Sequence, residues 1–478
     1  MSNKSKLNYI IIELVLIISY FNSLELTENN INEFTGIYYL SGLNAENSNK
    51  IFDLNSLNIT TNDFNLYING TKELNNSNVY PFQQDIIYNI RITFNKLLET
   101  TNNMFFECIS LKYLDLSSFK TQEVKIMDNM FYGCSSLTSI NFNNFNTEKV
   151  TSMDNMFYYC NSLLNLDLTT FNTINVMSME NMFGGCYSLT SLDITNFNTK
   201  IVKNMAFLFS SCKSLTSLNL LSFDTRRVKT MQSMFSNCNS LRKIELSSFY
   251  TEYVENMESM FSDCSSLINL NLRILNTKNV ITMNSMFANC ESLVYIDLTG
   301  FNTEKVKTMA NMFSNCNSLK SLDLSSFNTK EVTYLSNMFY NCLSLTSIDL
   351  SSFNTEKVVN TGNMFNNCIA LKYVNISSFN SISFEYIYNM FYNCISLNSI
   401  DLSNFRFDNI VYMEEMFYQC NNLSYIVMNN CDVKNDTNLN NAFYGIAENG
   451  FLMVPKEKCS KITNELLSTN IHWIVEYY

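Results

Sequence analysis

The 478-residue sequence is poor in several residue types on which common functions depend. It contains a single histidine, His472, and no Cys-x-x-Cys pair, so the usual zinc ligand sets are missing. Charged residues make up only 15% of the chain, and the formal net charge is −12. Because such a surface repels phosphates, and because we find no basic patch with interleaved aromatics, we expect no nucleic-acid binding.

Proline and glycine are also scarce, with two and ten residues respectively. Pro81 and Pro455 both lie outside the repeats described below, where a proline would remove a hydrogen bond from a sheet. No nucleophile elbow, Gly-rich phosphate loop or metal cluster is found, and evenly repeated carboxylates provide no unique catalytic site. The sequence therefore predicts no enzyme activity, no cofactor and no metal site.

What the chain has in abundance is internal repetition with a period of 26 residues. The segment "MDNMFYGCSSLTSINFNNFNTEKVTS", residues 127–152, is followed at once by "MDNMFYYCNSLLNLDLTTFNTINVMS". A cysteine returns at this spacing from Cys108 to Cys420 without a slip. One inserted residue would move every later side chain out of its column, which explains the strict period. We therefore expect one solenoid, which grows by adding repeats, rather than a series of domains.

Each repeat combines two periodicities. Met127, Met130, Phe131, Cys134 and Leu137 fall on one face of a helix of about nine residues. The next segment, "LTSINF", ends in the alternation of a strand. The pattern Leu-x-x-Leu-x-Leu, as in "LKYLDL" and "LKSLDL", is the leucine-rich-repeat strand signature. The predicted fold class is an α/β solenoid, a leucine-rich-repeat right-handed coil with a parallel concave sheet and short convex helices.

The thirteen periodic cysteines are predicted to form a buried ladder. A thiol is small and mostly hydrophobic, so it tolerates full burial, and stacked parallel Cβ atoms are poorly placed for disulfides. Cys431 and Cys459 depart from the period near the C-terminal end, and they could form one disulfide. The repeated phenylalanines and methionines are predicted to pack in the core.

The two ends of the chain lack the repeat. Residues 1–23 have a basic start and an apolar stretch, which is the form of a probable signal peptide. An uncleaved anchor or a buried apolar segment is the alternative, and no further membrane span is predicted. The remaining segments are predicted as an N-terminal segment and cap containing the strand "IIYNIRITF" (24–103), a solenoid of about 13 repeats (104–443) and a C-terminal cap (444–478).

The motif Phe-x-x-Cys-x-Ser-Leu before a leucine-rich strand occurs as "FYGCSSLTSI", "FSNCNSLKSL" and "FYNCLSLTSI". In this motif the chain resembles the BspA-like leucine-rich-repeat surface proteins over about residues 104–443. The 26-residue form with "NMF" and "FNTEKV" looks like the mycoplasma-type subtype of these repeats. The resemblance implies a leucine-rich-repeat fold and an extracellular or cell-surface location. For some members of the family it also implies adhesion to matrix proteins or to other cells.

Outward-facing strand residues are the candidate binding positions. The residue between the last two apolar positions of each strand forms a column in which eight of twelve residues are acidic and the rest are asparagine. Like charges side by side destabilise a sheet. Either neighbouring Ser, Thr and Asn side chains offset this repulsion by hydrogen bonds, or the column receives cations or a basic partner. The candidate residues are Asp167, Asp193, Asp297, Asp323, Asp349 and Asp401, with Tyr295 and Tyr373 two positions earlier on the same face.

Together these features favour a secreted or cell-surface leucine-rich-repeat protein that mediates protein–protein binding in adhesion. The expected partners are proteins or glycans on host or neighbouring cells. Two alternatives stay open at this point: a structural or self-associating surface component without a specific ligand, and an intracellular repeat scaffold. The sequence names neither the ligand nor the oligomeric state.

Overall fold

The computed structural model describes residues 32–40, 50–74, 77–455 and 459–477. The predicted signal peptide lies outside these residues. From Thr100 to Asn438, single parallel β-bridges join residues 26 apart, each linking one turn of the chain to the next. The chain is therefore a β-solenoid, and one 26-residue turn of it is called a coil below.

Four strands precede the first coil: β1 (Asn32–Tyr39), β2 (Phe64–Ile68), β3 (Thr71–Lys72) and β4 (Ile87–Phe94). They form an antiparallel sheet in which β1 lies between β4 and the first coil strand, β5 (Leu111–Asp115). Strand β4 falls in the segment predicted to be a strand, whereas β1 was not identified from the sequence. Phe34 of β1 packs edge-on against Phe105, with ring centroids 5.0 Å apart, and so joins this sheet to the solenoid core.

The predicted parallel sheet forms only in parts. Parallel pairing joins β5 to β6, β7 to β8, β9 to β10 and β11 to β12. In the other described coils the Leu-x-x-Leu-x-Leu segment has no strand assignment. The bounds are β6 (Ser139–Asn141), β7 (Asn269–Asn271), β8 (Tyr295–Asp297), β9 (Ser347–Asp349), β10 (Tyr373–Asn375), β11 (Ser399–Arg406) and β12 (Tyr425–Asn430).

The predicted convex helices are wrong, because the segments concerned are successive turns. Asn129 and Gly133 have positive φ values of 54° and 70°, and the same two positions are left-handed in every coil. A left-handed residue every few positions interrupts an α-helix. The N–H groups of Asn129, Phe131 and Gly133 instead donate to carbonyls of the next coil, at 2.7–2.9 Å. The predicted α/β character of the repeats is therefore wrong.

The predicted cysteine ladder is confirmed, although it lies on turns rather than on helices. All thirteen periodic cysteines are free and fully buried. Each of those from Cys134 onward donates its thiol proton to a phenylalanine carbonyl in the preceding coil, as Cys134 does to Phe105 at 3.0 Å. Burial raises the pKa of the Cys134 thiol to about 12. The phenylalanine rings stack along the same direction, for example Phe183 on Phe209 at 5.7 Å.

A second ladder, of buried threonines, was missed from the sequence. Thr121 donates its hydroxyl proton to the carbonyl of Asn146 at 2.8 Å and accepts from the N–H of the same residue at 2.9 Å. The position recurs every 26 residues through Thr355 and ends with Ser381, which makes the same pair of bonds to Arg406. One small hydroxyl thus satisfies two backbone groups of the neighbouring coil.

The C-terminal segment adds β13 (Asn449–Val454), α1 (Ser460–Thr469) and β14 (His472–Tyr477). Strands β11 to β14 form one parallel sheet in chain order. Cys431 and Cys459 form a disulfide with Cα atoms 5.0 Å apart, which ties the chain after β12 to the start of α1. Within the described ranges, no helix is long and apolar enough to cross a membrane.

Candidate functional site

The predicted binding residues all lie on the exposed side of the strand segments, which we call the strand face. Asp297 ends β8, Asp323 follows one coil later, and Asp349 ends β9, so the three carboxylates occupy the same position in successive coils. Tyr295 and Tyr373 begin β8 and β10, and both are 58% exposed. The structure therefore places these residues in columns along the solenoid and does not gather them into one pocket.

Each of these aspartates closes the turn that follows its strand segment. Oδ1 of Asp297 accepts hydrogen bonds from the backbone N–H of Thr299 at 3.1 Å and from its hydroxyl at 2.7 Å. The N–H two residues later is bound in the same way by Asp167, Asp193, Asp323, Asp349 and Asp401. Asparagines of the column accept the same bond, namely Asn141, Asn219, Asn271 and Asn375.

This turn explains why the twelve residues of the column all have an acceptor oxygen in the side chain, including Glu245, which accepts from the N–H of Ser247 at 3.0 Å. Asp and Asn hydrogen-bond their own backbone two residues on, so local turn chemistry selects them at this position. The bonds match the first of the two sequence alternatives, in which neighbouring donors offset the repulsion. Both hydrogen bonds to Asp297 are on Oδ1, and Oδ2 accepts none from the described part of the chain, so it remains an acceptor for a partner.

The same bonds lower the pKa of several aspartates of the column. The hydroxyl of Thr195 lowers the pKa of the Asp193 carboxyl, and the backbone N–H of Ser351 lowers that of Asp349. A hydrogen bond to the ionised form favours that form. Asp193 and Asp349 therefore keep their negative charge to a lower pH than ordinary surface carboxylates would.

The structure also groups cationic side chains that were missed from the sequence. They lie in the turn after the threonine ladder in two successive coils, where the sequence reads "TKIVK" and "TRRVK" in place of the more common "TEKV". The 26-residue alignment of these two segments was the signal that could have found them. We call these residues the cationic patch: Lys200, Lys203, Arg226, Arg227 and Lys229.

Two shallow depressions lie among the described residues. A shallow depression of about 260 Å³ is lined by Tyr253, Glu255, Asn279, Ile281 and Lys305. Another, of about 390 Å³, lies between the last coil and α1. Neither contains a predicted binding residue. Among the described residues, no group of three or more His, Cys, Asp or Glu side chains is placed to hold a metal ion.

Two solved structures resemble the chain at low identity. One is a leucine-rich repeat protein from Eubacterium ventriosum, with 13% identity, 70% of this chain and 90% of that chain covered, and a TM-score of 0.28. The other is TLR13 in a TLR13–ssRNA13 complex, with 19% identity, 70% of this chain covered and a TM-score of 0.26. The chain spans about half (50%) of the TLR13 chain. No curated protein matches the chain.

A family model described as "Mycoplasma protein of unknown function, DUF285" matches five overlapping segments: 32–137, 77–191, 185–295, 268–372 and 344–450. Together they extend from residue 32 to residue 450 and so include nearly all of the coils. The match agrees with the mycoplasma-type form of the repeat, while the likeness to BspA-like proteins stays a resemblance. The chain belongs to the family of mycoplasma proteins of unknown function named DUF285.

Proposed function

We propose that this chain is a secreted or cell-surface repeat protein that binds proteins or glycans on host or neighbouring cells, in adhesion, through its strand face. One observation supports the proposal above others. The buried columns repeat almost without change, whereas the exposed column two positions before the aspartates varies from tyrosine to serine, asparagine and lysine. Packing fixes the first set of residues and leaves the second free to match a partner, as in other extended solenoid surfaces.

The chemistry of the strand face suits such a partner. Tyr295 and Tyr373 present large, rigid rings that lose little side-chain entropy on binding. Oδ2 of Asp297 can accept hydrogen bonds from sugar hydroxyls or from basic side chains. Recognition on this model is spread over several coils and involves no catalytic step.

The disulfide supports a location outside the cytoplasm. Disulfides persist in oxidising compartments and are rare where thiols are kept reduced. The bond between Cys431 and Cys459 is therefore expected to be present in the protein isolated from its native source. Counting alkylated cysteines after denaturation without reductant tests this, and thirteen modified residues are expected. Fifteen would contradict the extracellular assignment.

The binding test uses two variants whose new residues already occur in the same columns. In the first, Asp297→Asn, Asp323→Asn and Asp349→Asn remove charge but keep the turn, because Asn271 makes the same bond naturally. In the second, Tyr295→Ser and Tyr373→Ser copy the serine found at residue 347. The control removes three acidic charges away from the strand face by Glu148→Gln, Glu304→Gln and Glu356→Gln.

Each protein is passed over immobilised matrix proteins and glycans. We expect the wild type and the control to bind the same ligand and both strand-face variants to lose at least tenfold in affinity. Equal binding by all four proteins would reject the strand face as the binding surface. Failure of the wild type to bind any ligand, together with concentration-dependent assembly, would favour the self-associating alternative instead.

A further inference from the structure

The cationic patch departs from the charge pattern of its own repeat. In five of the ten coils with a ladder threonine, the turn after it has charges of both signs, and three ion pairs join residues 26 apart at 2.6–2.7 Å. These pairs are Glu123–Lys149, Glu252–Lys278 and Glu331–Lys357. These three pairs neutralise turn charges between neighbouring coils.

The two coils of the cationic patch lack this compensation. Lys203 and Lys229 occupy the same position in successive coils, and the N–H of Lys229 donates to the carbonyl of Lys203 at 2.9 Å. Of the five cations, only Arg226 forms an ion pair with a described residue, the nearby Asp224. Like charges on neighbouring strands repel, so an anionic partner would relieve an unfavourable arrangement.

The surroundings of the patch limit what can bind there. On its N-terminal side, Met177 occupies the position of Lys203 in the preceding coil, and its carbonyl accepts from the N–H of Lys203 at 2.8 Å. The side chains of Met177 and Ile174 are about half exposed, at 45% and 50%. On its C-terminal side, the N–H of Glu255 donates to the carbonyl of Lys229 at 2.8 Å. At this position of four successive coils, the side chain is therefore apolar in Met177, cationic in Lys203 and Lys229, and anionic in Glu255.

We propose that the cationic patch is a second binding site, separate from the strand face, for an acidic polypeptide segment of a partner protein. The carboxylates of the segment lie over the two cationic coils, and an apolar side chain next to them packs on Ile174 and Met177. Two coils span about 10 Å, which suits a cluster of a few carboxylates. A long polyanion or an anionic bilayer would extend over Glu255, which repels it, whereas a short segment stops before that residue.

The experiment measures binding of labelled peptides to the full chain by fluorescence anisotropy. The probe peptide has two leucines followed by four glutamates, and a second peptide has glutamines in place of the glutamates. The test variant has Lys200→Glu, Lys203→Glu and Lys229→Glu. The control has Lys305→Glu, Lys307→Glu and Lys330→Glu, which make the same change in net charge on more distant coils.

We expect the acidic peptide to bind the wild type and the control alike, and the test variant at least tenfold more weakly. Binding should also weaken as salt rises, because the contacts are exposed charges. The glutamine peptide should bind at least tenfold more weakly than the acidic one. A third variant, Ile174→Ser with Met177→Ser, should bind the acidic peptide severalfold more weakly than the wild type does and should bind a peptide of glutamates alone with unchanged affinity.

Three results would overturn the assignment. Equal loss in the test variant and the control would mean that net charge alone governs binding. No binding of the acidic peptide to the wild type would reject the site. Tighter binding of heparin or of phosphatidylserine vesicles than of the peptide, lost in the test variant, would assign the patch to a polysaccharide or a membrane. The strand-face variants described above should leave peptide binding unchanged, which separates this proposal from the adhesion proposal.

Discussion

Replacing Thr303 by valine tests the threonine ladder directly. The Thr303 side chain is fully buried, and its hydroxyl donates to the carbonyl of Asn328 at 2.9 Å and accepts from the N–H of Asn328 at 2.8 Å. Valine has nearly the same shape but can make neither hydrogen bond, so the carbonyl and the N–H of Asn328 lose their partner. Each unsatisfied buried group costs about 1–3 kcal/mol. Because the side chain of Asn328 is exposed and water can approach, we expect a cost near the lower end of the sum for the two groups. The free energy of unfolding should fall by about 2–3 kcal/mol.

The matched variants separate the hydrogen bonds from the packing. Thr303→Ser keeps the hydroxyl, as Ser381 does naturally, and loses one methyl group, for a cost of about 0.8 kcal/mol. Thr346→Val removes a hydroxyl from an exposed position and should change stability by less than about 0.5 kcal/mol.

The assay has to be local, because a long repeat array does not unfold in a single two-state step. Hydrogen exchange followed by mass spectrometry reports on the Phe327 and Val332 amides, which bond within the neighbouring coil. A loss of 2–3 kcal/mol corresponds to exchange about 30 to 150 times faster, against about fourfold for the serine variant. Equal protection in the valine and serine variants would refute the role assigned to the hydroxyl.

Two further predictions follow from the turns and from the thiols. Asn341 has a positive φ of 57°, so Asn341→Val should destabilise its coil by at least about 1 kcal/mol more than Asn341→Gly, as measured by local hydrogen exchange. A valine variant as stable as the glycine variant would contradict the left-handed assignment. Burial raises the pKa of Cys238 to about 12, and it also raises the pKa values of the neighbouring cysteines in the ladder. As the pH rises, cysteines of the unfolded chain therefore lose their protons before those of the folded chain. The urea midpoint should therefore fall as pH rises above about 8.5, the ordinary thiol pKa, and a midpoint that stays constant or rises up to about pH 10 would reject this account.

Much of the candidate site followed from the sequence because a strict period fixes which side chains share a column. The 26-residue spacing was enough to place Asp297 and Asp323 one above the other and to expose Tyr295 on the same face. The hydrogen bond from Thr299 to Asp297 could also be predicted from the sequence, since the two residues are only two positions apart. The cationic patch was missed although the same spacing places Lys203 and Lys229 in one column, because this column also holds acidic and apolar residues and is cationic in only two successive coils.

The sequence by itself determined the period, the coil-by-coil stacking and the identity of the buried columns, including the cysteines. It did not determine the backbone path of the segment from Met127 to Cys134, because apolar spacing says which side chains are buried and not which carbonyl accepts each N–H. In a helix that carbonyl is four residues away, whereas here the carbonyl of Met156, 25 residues on, accepts from Phe131. Only the tertiary structure supplies the neighbouring coil, and with it the left-handed turns that replace the predicted helices.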